Sequence, residues 1–95
     1  MKTITLDAKS CITADDVYDV FFREVGAPDW HGRNFNALAD SIAAGRINRI
    51  EVPYTIVVTN FDHSGPEATR MLIDFKKLIE ELAAQGCEVV IEFER

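Results

Sequence analysis

Two histidines, His31 and His63, are the side chains here that change charge near neutral pH without a perturbed environment. Acid–base chemistry would have to start from them. Neither belongs to an H-x-x-x-H or similar metal spacing, and each reads as a solvated loop residue. A pair such as His31 and Glu81 could in principle attack a phosphodiester, but the linear order does not bring them together. Ser10, Cys11 and Ser41 lack the surroundings of a nucleophile triad. No glycine-rich loop precedes a helix to cradle phosphate, and Gly65-Pro66 is too short to count. Cys11 and Cys87 lack zinc-ligand spacing and are expected as reduced thiols. The sequence therefore predicts no catalytic residue, no metal and no cofactor, and a chain that is not an enzyme.

Binding chemistry is better represented. Trp30, the one tryptophan, stands in a polar loop over 27–33 beside Pro28 and Gly32. Two readings are open for it: buried packing, or an aromatic anchor at a protein interface. His31 beside it could pack or donate across the same surface. Asn34 can cap a helix over 35–44 closed by Gly45. At 100° per residue Phe35, Leu38 and Ile42 make its buried stripe, and Asn36 and Asp40 fall together well away from it. Ala37 and Ala44 lie near them. An outward face usually carries Lys, Glu, Gln or Arg. This one carries alanines, an amide and one carboxylate, which fits close approach by a partner. Asp40 taken alone reads more readily as a solvated helix acid than as a functional one.

The elements that must hold these residues follow from periodicity. Residues 2–6 alternate Thr3 and Thr5 with Ile4 and Leu6, a strand pattern. Thr13, with Asp15 and Asp16 behind it, predicts a helix start, and Val17, Val20, Phe21 and Val25 continue it over 13–25 to Gly26. The β-branched run 54–59 suits a mostly buried strand. Ser64-Gly65-Pro66-Glu67 matches the S-x-x-E capping box. Ala68, Met71, Leu72, Phe75, Leu78, Ile79 and Leu82 trace the long helix behind it, stopped by Gly86. A closing strand is expected over 88–93. The order β-α-α-β-α-β predicts an α/β fold with a parallel sheet. Three strands and three long helices, with a possible short helical turn, fill a single domain over 1–95.

Composition sets the outer bounds. The 95 residues carry 10 Lys plus Arg against 16 Asp plus Glu, a formal charge of −6. That balance argues against a nucleic-acid binder, which needs cations to displace phosphate counterions, and suits a basic protein partner. Apolar residues at 47% exclude compositional disorder. No apolar run is long enough for a membrane helix and no signal-peptide core follows the N-terminus, so a cytoplasmic protein without membrane or nucleic-acid partners is expected.

The stretch Pro28-Asp29-Trp30-His31-Gly32-Arg33-Asn34-Phe35-Asn36-Ala37-Leu38-Ala39-Asp40 resembles the barstar family's signature: a proline, an aromatic pair, Gly-x-Asn-Leu-Asp-Ala-Leu and a nearby acid. Gly32, Asn34, Ala37, Leu38 and Asp40 fall in register. The likeness extends over nearly the whole chain, including the ending helix-Gly86-Cys87-strand. It implies a barstar-like three-stranded parallel sheet and a ribonuclease inhibitor. It also implies residue roles. Asp40 would take the scissile phosphate's place in the nuclease, and Trp30 would cover a catalytic histidine. Gly32 and Asn34 would dock beside it. Glu81 would pair peripherally with nuclease Arg or Lys. Departures stand out as well. Asn36 replaces an acid, Ala39 replaces a bulky aromatic, and the link 46–51 is about four residues longer, with Arg46 near a family aromatic. From 29 to 51 the charges cancel.

The leading expectation is an immunity protein or antitoxin that docks through Trp30, His31, Gly32, Asn34, Asn36, Asp40 and Glu81. Its partner would be a cognate ribonuclease, basic in character, held by a monomer in a 1:1 complex. The competing expectation is an interaction module that has kept this fold and lost the nuclease target.

Overall fold

The computed structural model describes residues 2–94; positions 1 and 95 of the domain expected over 1–95 lie outside them. Three strands, β1 (Lys2–Asp7), β2 (Tyr54–Thr59) and β3 (Val89–Phe93), form one parallel sheet in the order β1-β2-β3. The register aligns Ile4 with Ile56 and Ile91, and Leu6 with Val58 and Phe93. Three helices, α1 (Ala14–Val25), α2 (Phe35–Ala43) and α3 (Pro66–Ala84), complete the expected order, with short 3-10 turns at Ala8–Ser10 and Phe61–His63. No helix among the described residues is long and apolar enough to cross a membrane.

The alternation in the strands decides where the core lies. Ile4, Leu6, Tyr54, Ile56, Val58 and Val89 are buried in one hydrophobic cluster with Val17, Phe21 and Val25 of α1 and Leu72, Phe75 and Ile79 of α3. Phe21 meets Phe75 edge to face at a centroid distance of 5.2 Å, which joins the two helices over the sheet. Thr3, Thr5, Val90 and Glu92 on the opposite face are exposed, and Thr55, Val57 and Thr59 half-exposed. The expectation of a mostly buried central strand is thus corrected. All three helices lie on one side, so β2 buries every second side chain.

Helix α1 begins with a reciprocal cap. The Thr13 hydroxyl accepts from the Asp16 N–H at 3.2 Å, and the Asp16 carboxylate accepts from Thr13 and Ile12 at 3.0 and 2.8 Å. Those N–H donors, Thr13's first, hold the Asp16 carboxyl below its usual range. The capping box expected over 64–67 does not form. Gly65 is the N-cap of α3 and gives no side-chain hydrogen bond. A Cβ at Gly65 would sit 2.7 Å from the Ile12 carbonyl oxygen, so the close approach of the two chains selects glycine. Ser64 turns to the Phe61 carbonyl and the Thr69 hydroxyl instead. Glu67 reaches across to the Ala14 N–H at 3.2 Å and helps cap α1.

Candidate partner-binding site

Asn34 starts α2 as its sequence position demands, its side-chain oxygen accepting from the Ala37 N–H at 2.8 Å. Leu38 and Ile42 enter the core, whereas Phe35 is only half-buried. Asn36 and Asp40 are exposed on the opposite face. Among the described residues Asp40 forms no ion pair. The helix therefore presents a solvated carboxylate without a cation of its own.

Trp30 is not buried in the core. Its side chain is 74% exposed, against a core in which the other large rings are covered. It shares a shallow depression of about 200 Å³ with His31, Gly32, Ala37, Asp40 and Ile47. Four of the residues picked from the sequence, Trp30, His31, Gly32 and Asp40, are thus brought together. Asn34 supports the site from the helix start. Glu81 stands apart, exposed on α3. Its neighbours Leu82 and Gln85 line a separate cavity of about 370 Å³ with Ala43, Cys87 and Glu88.

His31 departs from the solvated reading. It is 7% exposed and packs its ring on Phe22 at a centroid distance of 4.3 Å. Nδ1 lies 2.8 Å from the Gly32 carbonyl and Nε2 lies 2.9 Å from the Ser41 hydroxyl. A carbonyl can only accept, so Nδ1 carries a proton, and in the neutral ring Nε2 accepts from Ser41. Ser41 is itself buried, and the Leu38 carbonyl at 3.2 Å is the alternative acceptor for its one hydroxyl proton. This pair fastens the loop bearing Trp30 to α2. It explains why a serine sits in an otherwise apolar stripe, a contact across ten positions for which the sequence carries no periodic signal. His63, by contrast, is exposed on its 3-10 turn.

The cancelled charges over 29–51 also look different in three dimensions. The Arg33 guanidinium is drawn to Asp19 and Asp15 of α1. That contact, with Asp19 foremost, raises its already high pKa. The Glu51 carboxylate accepts from the Arg46 backbone N–H. Arg33 is therefore not free to answer Asp40. Cys11 is buried and Cys87 half-buried, both as free thiols, and burial pushes each thiol up. Among the described residues no three His, Cys, Asp or Glu side chains converge as a metal site.

The face therefore offers an exposed aromatic and an unpaired carboxylate on a helix anchored from below. Such a face can bind a cationic pocket, and the hydroxyl–imidazole pair of Ser41 and His31 lies buried beneath it. The protein-family model described as Barstar (barnase inhibitor) matches residues 1–94. No curated protein matches the chain.

Proposed function

Because the chain belongs to the barstar family, we propose that it is a ribonuclease inhibitor, an immunity protein or antitoxin in the cytoplasm of the cell that makes the nuclease. The observation that carries this reading is the unpaired Asp40 carboxylate beside the exposed Trp30 in one depression. A nuclease pocket built from Arg and Lys to hold phosphate also holds a carboxylate, bidentately where Arg is used. Asp40 enters that pocket and Trp30 covers its mouth. Gly32, Asn34 and Asn36 dock around them, and His31 holds the loop from beneath. Glu81 reaches the partner from α3 as a rim charge, where solvent and salt weaken an ion pair. The formal charge of −6 steers a basic partner toward the complex. The protein acts as a monomer in a 1:1 complex and cleaves nothing itself.

The test is titration of ribonuclease activity with the purified chain, using barnase and any small basic ribonuclease encoded by the neighbouring reading frame. A linear loss of RNA cleavage ending at one equivalent supports the proposal. Full activity of both enzymes at excess inhibitor contradicts it. In that case the departures at Asn36, Ala39 and Arg46 favour a non-nuclease interaction module on the same fold.

A further inference from the structure

The longer link after α2 is not a slack insertion. Gly45 and Arg46 both adopt left-handed backbone, with φ of 74° and 67°. For Gly45 the conformation is unstrained, and a Cβ there would meet Glu51 Oε1 at 2.9 Å. Arg46 has no such freedom and is held by its N–H, which donates to the Glu51 carboxylate. The far side of the link is stitched to the end of α1. Arg49 N–H donates to the Gly26 carbonyl at 3.2 Å, and Ile50 N–H donates to the Val25 carbonyl at 2.9 Å. Lys2 Nζ donates to the Glu51 carbonyl at 3.4 Å. Between these fixed ends the one side chain directed into the depression of Trp30 and Asp40 is that of Ile47, which is half-buried there.

We propose that Ile47 is a further partner contact that selects among ribonucleases, and that Glu51 is the positioning residue that presents it. The inference rests on the reading of the chain as an inhibitor docking through Asp40. The chemistry it specifies is an apolar side chain on the nuclease beside its phosphate-binding cations. Asp40 and Ile47 line the same depression, so the groups that meet them must be neighbours. A nuclease with a charged residue at that place is rejected, because the charge would be desolvated against Ile47 without a partner.

Inhibition constants for Ile47→Ala, Ile47→Asp, Glu51→Ala, Glu51→Gln and the double variant Ile47→Ala/Glu51→Ala test this, with barnase and any small basic ribonuclease encoded by the neighbouring reading frame as probes. Ile47→Ala should weaken inhibition about tenfold, the effect of removing a few apolar carbons from a buried contact, and Ile47→Asp should weaken it more. Glu51→Gln keeps an acceptor for the Arg46 N–H and should inhibit like wild type. Glu51→Ala should lose as much as Ile47→Ala, and the double variant no more than either. That non-additivity is what a merely structural Glu51 would not produce. Additive losses overturn the positioning role. Wild-type inhibition by Ile47→Ala and Ile47→Asp, with inhibition lost in Asp40→Ala, overturns the inference and leaves the inhibitor reading intact. Failure of the wild-type chain on both probes overturns both. Should Glu51→Ala not fold, as its melting curve would reveal, the two Ile47 variants at their half-exposed position decide the matter.

Discussion

Replacing Ser41 by alanine removes one oxygen and should destabilise the protein more than replacing the whole His31 ring by phenylalanine. In Ser41→Ala the Nε2 atom of His31 loses its hydroxyl partner while the ring stays 7% exposed. A buried polar atom left without a partner costs about 1–3 kcal/mol. In His31→Phe the new ring can still pack on Phe22, and Ser41 falls back on the Leu38 carbonyl at 3.2 Å. The group orphaned there is the Gly32 carbonyl, in a half-buried loop where water can reach it. The serine substitution should therefore be the more costly. Made in a His31→Phe background it should cost little, a coupling of about 1 kcal/mol or more. Urea denaturation followed by circular dichroism measures all four corners of this cycle. Each kcal/mol lowers the melting temperature by about 4–8 °C in a domain of this size. The single tryptophan gives a local readout, since Trp30 adjoins His31, and its fluorescence anisotropy should fall in Ser41→Ala before global unfolding. Equal cost of Ser41→Ala in both backgrounds would refute the idea that this hydrogen bond pins the loop.

Two further outcomes follow from burial and charge. Leu38→Ala and Phe75→Ala, each 1% exposed, should cost about 2–5 kcal/mol, whereas Asn36→Ala on the open face should cost far less; coincident denaturation midpoints would mean the helix faces are misassigned. Asp16, with its pKa lowered by the N–H donors of Thr13 and Ile12, contributes stability above its unfolded pKa of about 3.9, and that contribution is lost as pH falls toward the lower folded value. Asp16→Asn should therefore flatten the acid side of the stability profile below about pH 4. The slope should not vanish, since Asp7 is lowered too, by Asn60 and then Lys9. Denaturant midpoints at pH 7 and in the acid window check this, and an unchanged slope would contradict it.

What could be read in advance was local. The stripes Val17–Phe21–Val25 and Leu72–Phe75–Ile79, the caps at Thr13 and Asn34, and the alternation of β1 depend on neighbours a few positions away, so element order and the sheet came through. The misreadings concern contacts between distant segments. Gly65 overrides a good capping motif because Ile12 crosses it. His31 is buried because Ser41 and Phe22 arrive from two different helices. The central strand is half-open because no helix crosses the far side of the sheet. Of the residues lining the proposed docking face, Trp30, Gly32 and Asp40 stand out in the sequence by residue type and by resemblance. Ile47 was not, because its place depends on two left-handed residues and a carboxylate four positions further on.

The claim on which the functional account stands is that Asp40 occupies the nuclease's phosphate pocket. Titrating a ribonuclease that the wild-type chain inhibits, with wild-type and Asp40→Ala protein at low and high salt, tests it most directly. The account predicts an unchanged melting temperature for Asp40→Ala, whose side chain is exposed in the free protein. It predicts inhibition weakened by about 3–5 kcal/mol, more than a hundredfold, because the nuclease cation is left buried and unpaired. That difference should largely persist at high salt, while the association rate of both proteins falls as the −6 charge is screened. Equal inhibition by the two proteins at both salt concentrations would contradict it.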